Sequence, residues 1–200
     1  EWYLEFTGAD GFRLDAVKHI QYSFFRDWLG YLRKTTQKPL FAVGEYWEPY
    51  NVEALHKYIQ SVEGSLSLFD APLHRNFYEA SRFGGGYDMR RILDNTLMQH
   101  QPTLAVTLVD NHDTQPLQAL ESWVDFWFKP LAYALILLRS EGFPCVFVPD
   151  LDGASYMDNC CDICLTPVPG LFEMLRARRD LAYGTQRDWF DHPDIIGWTR

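Results

Sequence analysis

Five carboxylates stand where short apolar runs end: Asp15 after Gly11–Leu14, Glu45 after Leu40–Val43, Asp70 after Leu66–Phe69, Asp110 after Leu104–Val109, and Asp150 after Cys145–Val148. Any one of them reads as a loop or helix-capping residue. Five in series suggest that one edge of the protein collects carboxyl groups. Two such groups held close together in different protonation states can act as nucleophile or base on one side and as acid on the other. Arg13 lies two residues before Asp15, so in an extended chain both side chains point to one face, and the guanidinium would keep Asp15 ionised. His112 and Asp113 follow Asp110 and offer another imidazole and carboxylate. Arg13 and Asp15 read equally well as a structural ion pair, and His112–Asp113 equally well as a turn.

The elements that must position these groups alternate. Between the runs lie stretches with helical spacing: Ile20, Phe24, Trp28 and Leu32; Val52, Leu55, His56 and Ile59; Leu131, Leu135 and Leu138; and Leu171 to Leu181, with Arg176, Arg178 and Arg179 at its basic end. Strands separated by helices predict βαβ crossovers and a parallel sheet, whose strand C-terminal ends share one face. Ligands and chemistry gather at that face in α/β folds. After Tyr183-Gly184 the pattern changes, and Trp189 to Trp198 reads as a turn followed by a new strand. The expected division is therefore residues 1–183 for the α/β part and 184–200 for the start of a β domain.

The net charge is −9, from 27 acidic and 18 basic side chains, which disfavours nucleic acid and anionic membranes as partners. No apolar run approaches the roughly 20 residues needed to span a bilayer; Leu131–Leu138, flanked by Lys129 and Arg139, reads as a buried helix. Cys160, Cys161 and Cys164 are too few and wrongly spaced for a paired zinc motif, and read as a reduced loop. Glu1-Trp2-Tyr3 has neither an initiator Met nor a signal-like stretch, and Gly197–Arg200 has no terminating pattern, so both ends read as cuts in a longer protein.

Three segments resemble the alpha-amylase superfamily of glycoside hydrolases. Gly11-Phe12-Arg13-Leu14-Asp15-Ala16-Val17-Lys18-His19 is similar to its fourth-strand motif, Val43-Gly44-Glu45-Tyr46-Trp47 to its fifth-strand motif, and Leu108-Val109-Asp110-Asn111-His112-Asp113-Thr114-Gln115-Pro116 to its seventh-strand motif. Trp127–Ala134 and Pro149-Asp150-Leu151 resemble the intracellular bacterial and fungal branch. The resemblance implies an α/β fold of the (β/α)8 TIM-barrel type, with strands four to eight present, followed by the start of a C-terminal β-sandwich. Val148, Asp152, Cys160 and Cys161 depart from the family pattern in the eighth-strand loop.

The resemblance also implies roles. Asp15 would be the nucleophile, Glu45 the general acid and then base, and Asp113 the third carboxylate, in retaining hydrolysis of internal alpha-1,4-glucosidic bonds of starch, glycogen and maltooligosaccharides. Retention needs two carboxyls roughly 5 to 5.5 Å apart, and neighbouring strands lie about 4.8 Å apart. Glu45 would have to hold its proton near neutral pH. Arg13, Lys18, His19, Trp47 and His112 would contact the alpha-glucan. Calcium is implied as cofactor, with the His19 carbonyl as one ligand, a second site at Gly85, Tyr87 and Asp194, and most ligands supplied from outside this chain. A cytoplasmic location follows from the branch. The competing class is a non-catalytic interaction protein on the same barrel, but such proteins lose carboxylates that are all present here. Five βα units do not close an eight-stranded barrel, so the isolated chain is expected to be inactive or prone to aggregate.

Overall fold

The computed structural model describes residues 1–158 and 161–200, and five parallel strands form its centre. Helix α1 (Trp2–Thr7) leads into β1 (Gly11–Leu14); α2 (Tyr22–Thr36) crosses to β2 (Phe41–Gly44); α3 (Val52–Ser61) crosses to β3 (Ser67–Phe69). Then α4 (Ala71–Phe83) and α5 (Leu97–His100) precede β4 (Ala105–Leu108), and α6 (Lys129–Leu138) precedes β5 (Phe143–Cys145). The strands lie side by side in chain order, each parallel to the last. Parallel neighbours require a crossover, and the helices supply it while covering one face of the sheet. The sheet curls strongly: Phe41 at the start of β2 and Phe143 at the start of β5 bring their rings to 6.1 Å across two intervening strands. The chain is a partial (β/α) barrel.

The rest of the chain continues outward. A short helix α7 (Val148–Asp152) leads to an antiparallel pair, β6 (Ala154–Asp158) and β7 (Cys161–Leu165); helix α8 (Leu171–Asp180) packs beside α6; and β8 (Arg187–Trp189) pairs antiparallel with β9 (Gly197–Thr199). Arg139 ties this last pair to the end of α6 through Asp188 at 2.8 Å.

Burial explains the pattern. Leu55, Leu68, Phe77, Ala105, Val109 and Ile136 fill the space between sheet and helices. All four residues of β4 are buried, as expected where a strand is covered on both faces. Helix α6 is apolar nearly all round and lies inside. None of the helices among the described residues is long and apolar enough to cross a membrane.

Three sequence expectations are corrected. Helix α2 buries Phe25, Leu29 and Leu32, while Ile20 and Phe24 are exposed. The segment carries two apolar stripes one position apart, and sequence spacing alone does not choose the one that meets the sheet. The last strand of the parallel sheet is Phe143–Cys145 rather than Cys145–Val148. Pro149 occupies the first turn of α7, where its fixed φ favours helix, so Asp150 sits in that helix and not at a strand end. Cys161 and Cys164 lie in strand β7, not in a loop; Cys160 lies outside the described residues.

Candidate active site

Asp15 and Glu45 are neighbours because their strands are in register. Leu14 pairs with Gly44, Glu45 N donates to the Leu14 carbonyl at 2.9 Å, and Val17 N donates to the Glu45 carbonyl at 3.0 Å. Gly44 packs closely there: a Cβ would meet Leu68, Val17 and Leu66 side-chain atoms at 3.1 to 3.2 Å, which would have to give by a few tenths of an ångström. Arg13 then reaches both acids. Its Nη1 donates to Asp15 Oδ1, and its Nη2 lies 3.2 Å from Glu45 Oε2. The two carboxyls differ in surroundings, since the Asp15 side chain is 74 % exposed and that of Glu45 only 8 %. Arg13, by hydrogen bond and charge, holds Asp15 below the ordinary carboxylate range; smaller contributions in the same direction come from a hydrogen bond with Glu45 and from the charge of His112. Glu45 Oε1 is buried without a hydrogen-bond partner.

Ala16 makes this junction sharp. Its φ is 45°, in the left-handed region that residues with a Cβ rarely occupy, and its N donates to Glu45 Oε2 at 3.3 Å. Such strain, of order 1–3 kcal/mol, persists only where surrounding structure fixes it; here the strand-end bonds around Glu45 do so. Nothing in the type of residue 16 announces this role.

Asp113 is set by a loop folded on its own polar groups. Asn111 Oδ1 accepts from Asp113 N at 2.8 Å and Thr114 N at 2.9 Å, and Thr114 Oγ1 donates to Asp110 Oδ1 at 3.0 Å. His112 Nε2 lies 3.4 Å from Asp113 Oδ2. The segment follows β4, so it leaves the sheet at the same edge as Asp15 and Glu45. The other expected contacts surround this edge. Lys18 Nζ donates to the Trp47 carbonyl and to Glu48 Oε1, both at 3.1 Å, which clamps the loops after β1 and β2. His19 is exposed, and with Lys18, Tyr22, Tyr46 and Tyr58 it borders a cavity of about 400 Å³. Trp47 is half-buried, its ring 5.4 Å from that of His74.

The remaining carboxylates of the series do structural work. Asp70 caps α4 through Leu73 N at 3.1 Å and also accepts from Leu97 N and Met98 N at 3.0 and 2.6 Å. Asp110 and Asp150 close on Lys129, whose Nζ lies 2.9 Å from Asp110 Oδ2 and 2.6 Å from Asp150 Oδ1, with none of its side chain exposed. The same ammonium sits 3.0 Å from the Trp123 ring centre. Tyr133 Oη donates to Asp150 Oδ2 at 2.7 Å. His74 braces the same loop, its ring nitrogens 2.6 Å from the Val109 carbonyl and 2.8 Å from Ser122 Oγ. The segment 110–114 thus rests on a buried ionic floor.

No family model matches the chain. It is 59 % identical over its whole length to an alpha-amylase of Geobacillus stearothermophilus and 52 % identical to the cytoplasmic alpha-amylase of Escherichia coli. The chain belongs to the alpha-amylase family. It spans 35 % and 41 % of the length of those relatives. Among solved structures, an Anoxybacillus alpha-amylase superposes with a TM-score of 0.66 at 19 % identity, covering 98 % of this chain and 46 % of that one, which bears on the fold.

Within the alpha-amylase frame, Lys129, Asp150 and His74 are the residues that sequence reasoning missed or misplaced. Lys129 passed for the polar flank of an apolar run. Spacing along the sequence carried no signal for its role, because only the fold brings position 129 between Asp110 and Asp150.

The family also implies calcium. Among the described residues no three His, Cys, Asp or Glu side chains gather as ligands, so a cation here would rely partly on carbonyl oxygens. Met89 N donates to the Pro193 carbonyl at 2.7 Å, and the exposed Asp194 lies beside His192, its Oδ2 3.9 Å from Nδ1.

The buried groups predict a pH dependence of stability. Burial pushes Asp110 up to about 8, against the pull of Lys129, and Asp70 up to about 6; burial pushes His74 down to about 4. The folded state keeps a proton on Asp110 that the unfolded chain releases, so this contribution is full at low pH and fades as pH rises through about 8. His74 acts in the opposite sense, but only below its unfolded value of 6.5. Lowering the pH from 8 to 6.5 is expected to raise unfolding free energy by on the order of 1 kcal/mol. Urea titrations at fixed salt should show this rise, and Asp110→Asn should abolish it.

Proposed function

We propose that the protein carrying this chain is an alpha-amylase that cleaves internal alpha-1,4-glucosidic bonds of starch, glycogen and maltooligosaccharides with retention. The observation that carries the reading is Arg13 joined to both Asp15 and Glu45 at the ends of adjacent strands. In the first step Asp15 attacks the anomeric carbon, the bond to the leaving oxygen breaks, and Glu45 gives that oxygen its proton. In the second step water attacks the same carbon, Glu45 takes the water proton, and Asp15 leaves. Arg13 suits both steps: it keeps Asp15 anionic before attack and offsets the charge on Glu45 after proton transfer. Asp113 and His112 bind the ring hydroxyls and favour the distorted sugar; Lys18, His19 and Trp47 hold the chain on the leaving-group side.

Calcium, when bound, would supply structural cross-linking, with the carbonyls of His19, Gly85 and Tyr87 and the Asp194 carboxylate as this chain's donors. The working unit is a longer protein, since β1 and β5 each have one open edge and the chain covers about two fifths of its relatives. We read residues 184–200 as the start of a β domain. The Escherichia coli relative is named as cytoplasmic, and we assign the same compartment.

Glu45→Gln in the longer protein is expected to lower kcat on soluble starch by about 10² to 10⁴-fold, and the first product of the unaltered enzyme should have the alpha configuration by NMR. A loss below tenfold, or a beta product, would remove Glu45 or retention from the scheme.

A further inference from the structure

His74 is a buried imidazole that the proposed reaction does not use, yet it touches both the loop of Trp47 and the loop of Asp113. Its Nδ1 lies 2.6 Å from the Val109 carbonyl and its Nε2 2.8 Å from Ser122 Oγ. A carbonyl only accepts, so Nδ1 carries the ring proton and Nε2 accepts from the Ser122 hydroxyl. Burial favours that neutral form, pushing the ring down to about 4. The two contacts fall at opposite ends of the segment that follows β4. Between them the chain doubles back: Leu120 N donates to the Asp113 carbonyl and Ser122 N to the Thr114 carbonyl, both at 3.0 Å. The same imidazole meets the Trp47 ring, their centres 5.4 Å apart and their planes at 48°. It stands on a fixed base. His74 N donates to the Asp70 carbonyl at 3.1 Å, and the Asp70 carboxylate accepts from the backbone of Leu73, Leu97 and Met98.

We propose that His74 is a positioning residue for the glycosidic reaction: from the start of α4 it clasps both ends of the loop that presents His112 and Asp113, and sets that loop against Trp47. This deepens the alpha-amylase reading and rests on it. Both ring nitrogens are engaged by Val109 and Ser122, so His74 acts by placement and not by proton transfer to substrate. Placement changes rate because a shift of about 1 Å, even from a change far from the chemistry, costs about a hundredfold. Without the clasp, the Asp113 carboxylate samples a wider range of positions. The leaving-group side keeps its shape, since Lys18 still ties the Trp47 carbonyl to Glu48. The expected signature is therefore a fall in kcat with little change in KM.

Two variants of the longer protein test this. His74→Phe keeps a ring against Trp47 and removes both hydrogen bonds; Ser122→Ala removes only the hydroxyl that faces Nε2. Well below the thermal midpoint of each, kcat on soluble starch should fall about ten- to a hundredfold in the first and about fivefold in the second, with KM within about twofold. Hydrogen exchange followed by mass spectrometry should quicken about tenfold on the peptide spanning residues 110–122 in both, and stay unchanged on the peptide of α3. A role in packing alone lowers the midpoint but leaves kcat of the folded enzyme at the parent value, and that result overturns the proposal. Should His74→Phe not fold, Ser122→Ala decides by the same two readouts. If the unaltered protein hydrolyses no starch, the alpha-amylase reading fails instead; exchange on residues 110–122 then tests the clasp by itself, and equal exchange overturns it.

Discussion

Asp15→Asn in the longer protein is expected to reduce starch hydrolysis by about 10⁴-fold or more, because in the proposed scheme it removes the atom that forms the bond to the sugar. The substitution keeps shape and polarity, and Asp15 is largely exposed, so folding should be retained. What disappears is the anion that Arg13 maintains. An amide oxygen neither attacks the anomeric carbon effectively nor carries the charge that balances a developing oxocarbenium ion. The partner measurement is a mechanism-based fluoroglycoside that traps the covalent intermediate: mass spectrometry should find the sugar on the peptide containing Asp15 in the unaltered enzyme and none in the variant. Activity within a factor of ten of the parent would show that the nucleophile lies elsewhere.

Lys129→Met is expected to destabilise the fold by about 3–5 kcal/mol, the range for stranding a buried charge. Lys129 has no exposed side-chain surface, and its ammonium touches Asp110, Asp150 and the Trp123 ring. Methionine fills similar volume, so the loss reports charge and not a cavity. The burial that raises Asp110 would then act without the opposing pull of Lys129, which implies a smaller deficit at pH 5 than at pH 8. Chemical denaturation at the two values tests the sign as well as the size. Neutralising all three positions, with Asp110→Asn and Asp150→Asn added, should recover part of the loss. A deficit below about 1 kcal/mol would mean that the ionic floor under residues 110–114 is not structural.

The strands, their helices and their parallel order were legible because apolar runs and helical spacing alternate along the chain, and backbone hydrogen bonding leaves such a chain few arrangements. Boundaries failed where local chemistry competed: Pro149 turned a strand end into a short helix, and the two stripes of α2 differed only in what the sheet presents to them. Helix α1 and the β6–β7 pair carry weak patterns and were not read.

The sequence by itself determined which acids were available at the strand ends and, through motif order, which three to single out. Position at the end of an apolar run did not by itself separate Asp15, Glu45, Asp70, Asp110 and Asp150; the family resemblance did, and tertiary structure set the surroundings of each. It gave Asp70 three backbone donors and buried Asp110 and Asp150 against Lys129, while Arg13 was left bridging Asp15 and Glu45 at an open rim. Residue type fixes what a carboxyl group can do, but its charge and its access to a substrate depend on neighbours that are distant in the chain, and only folding brings those together.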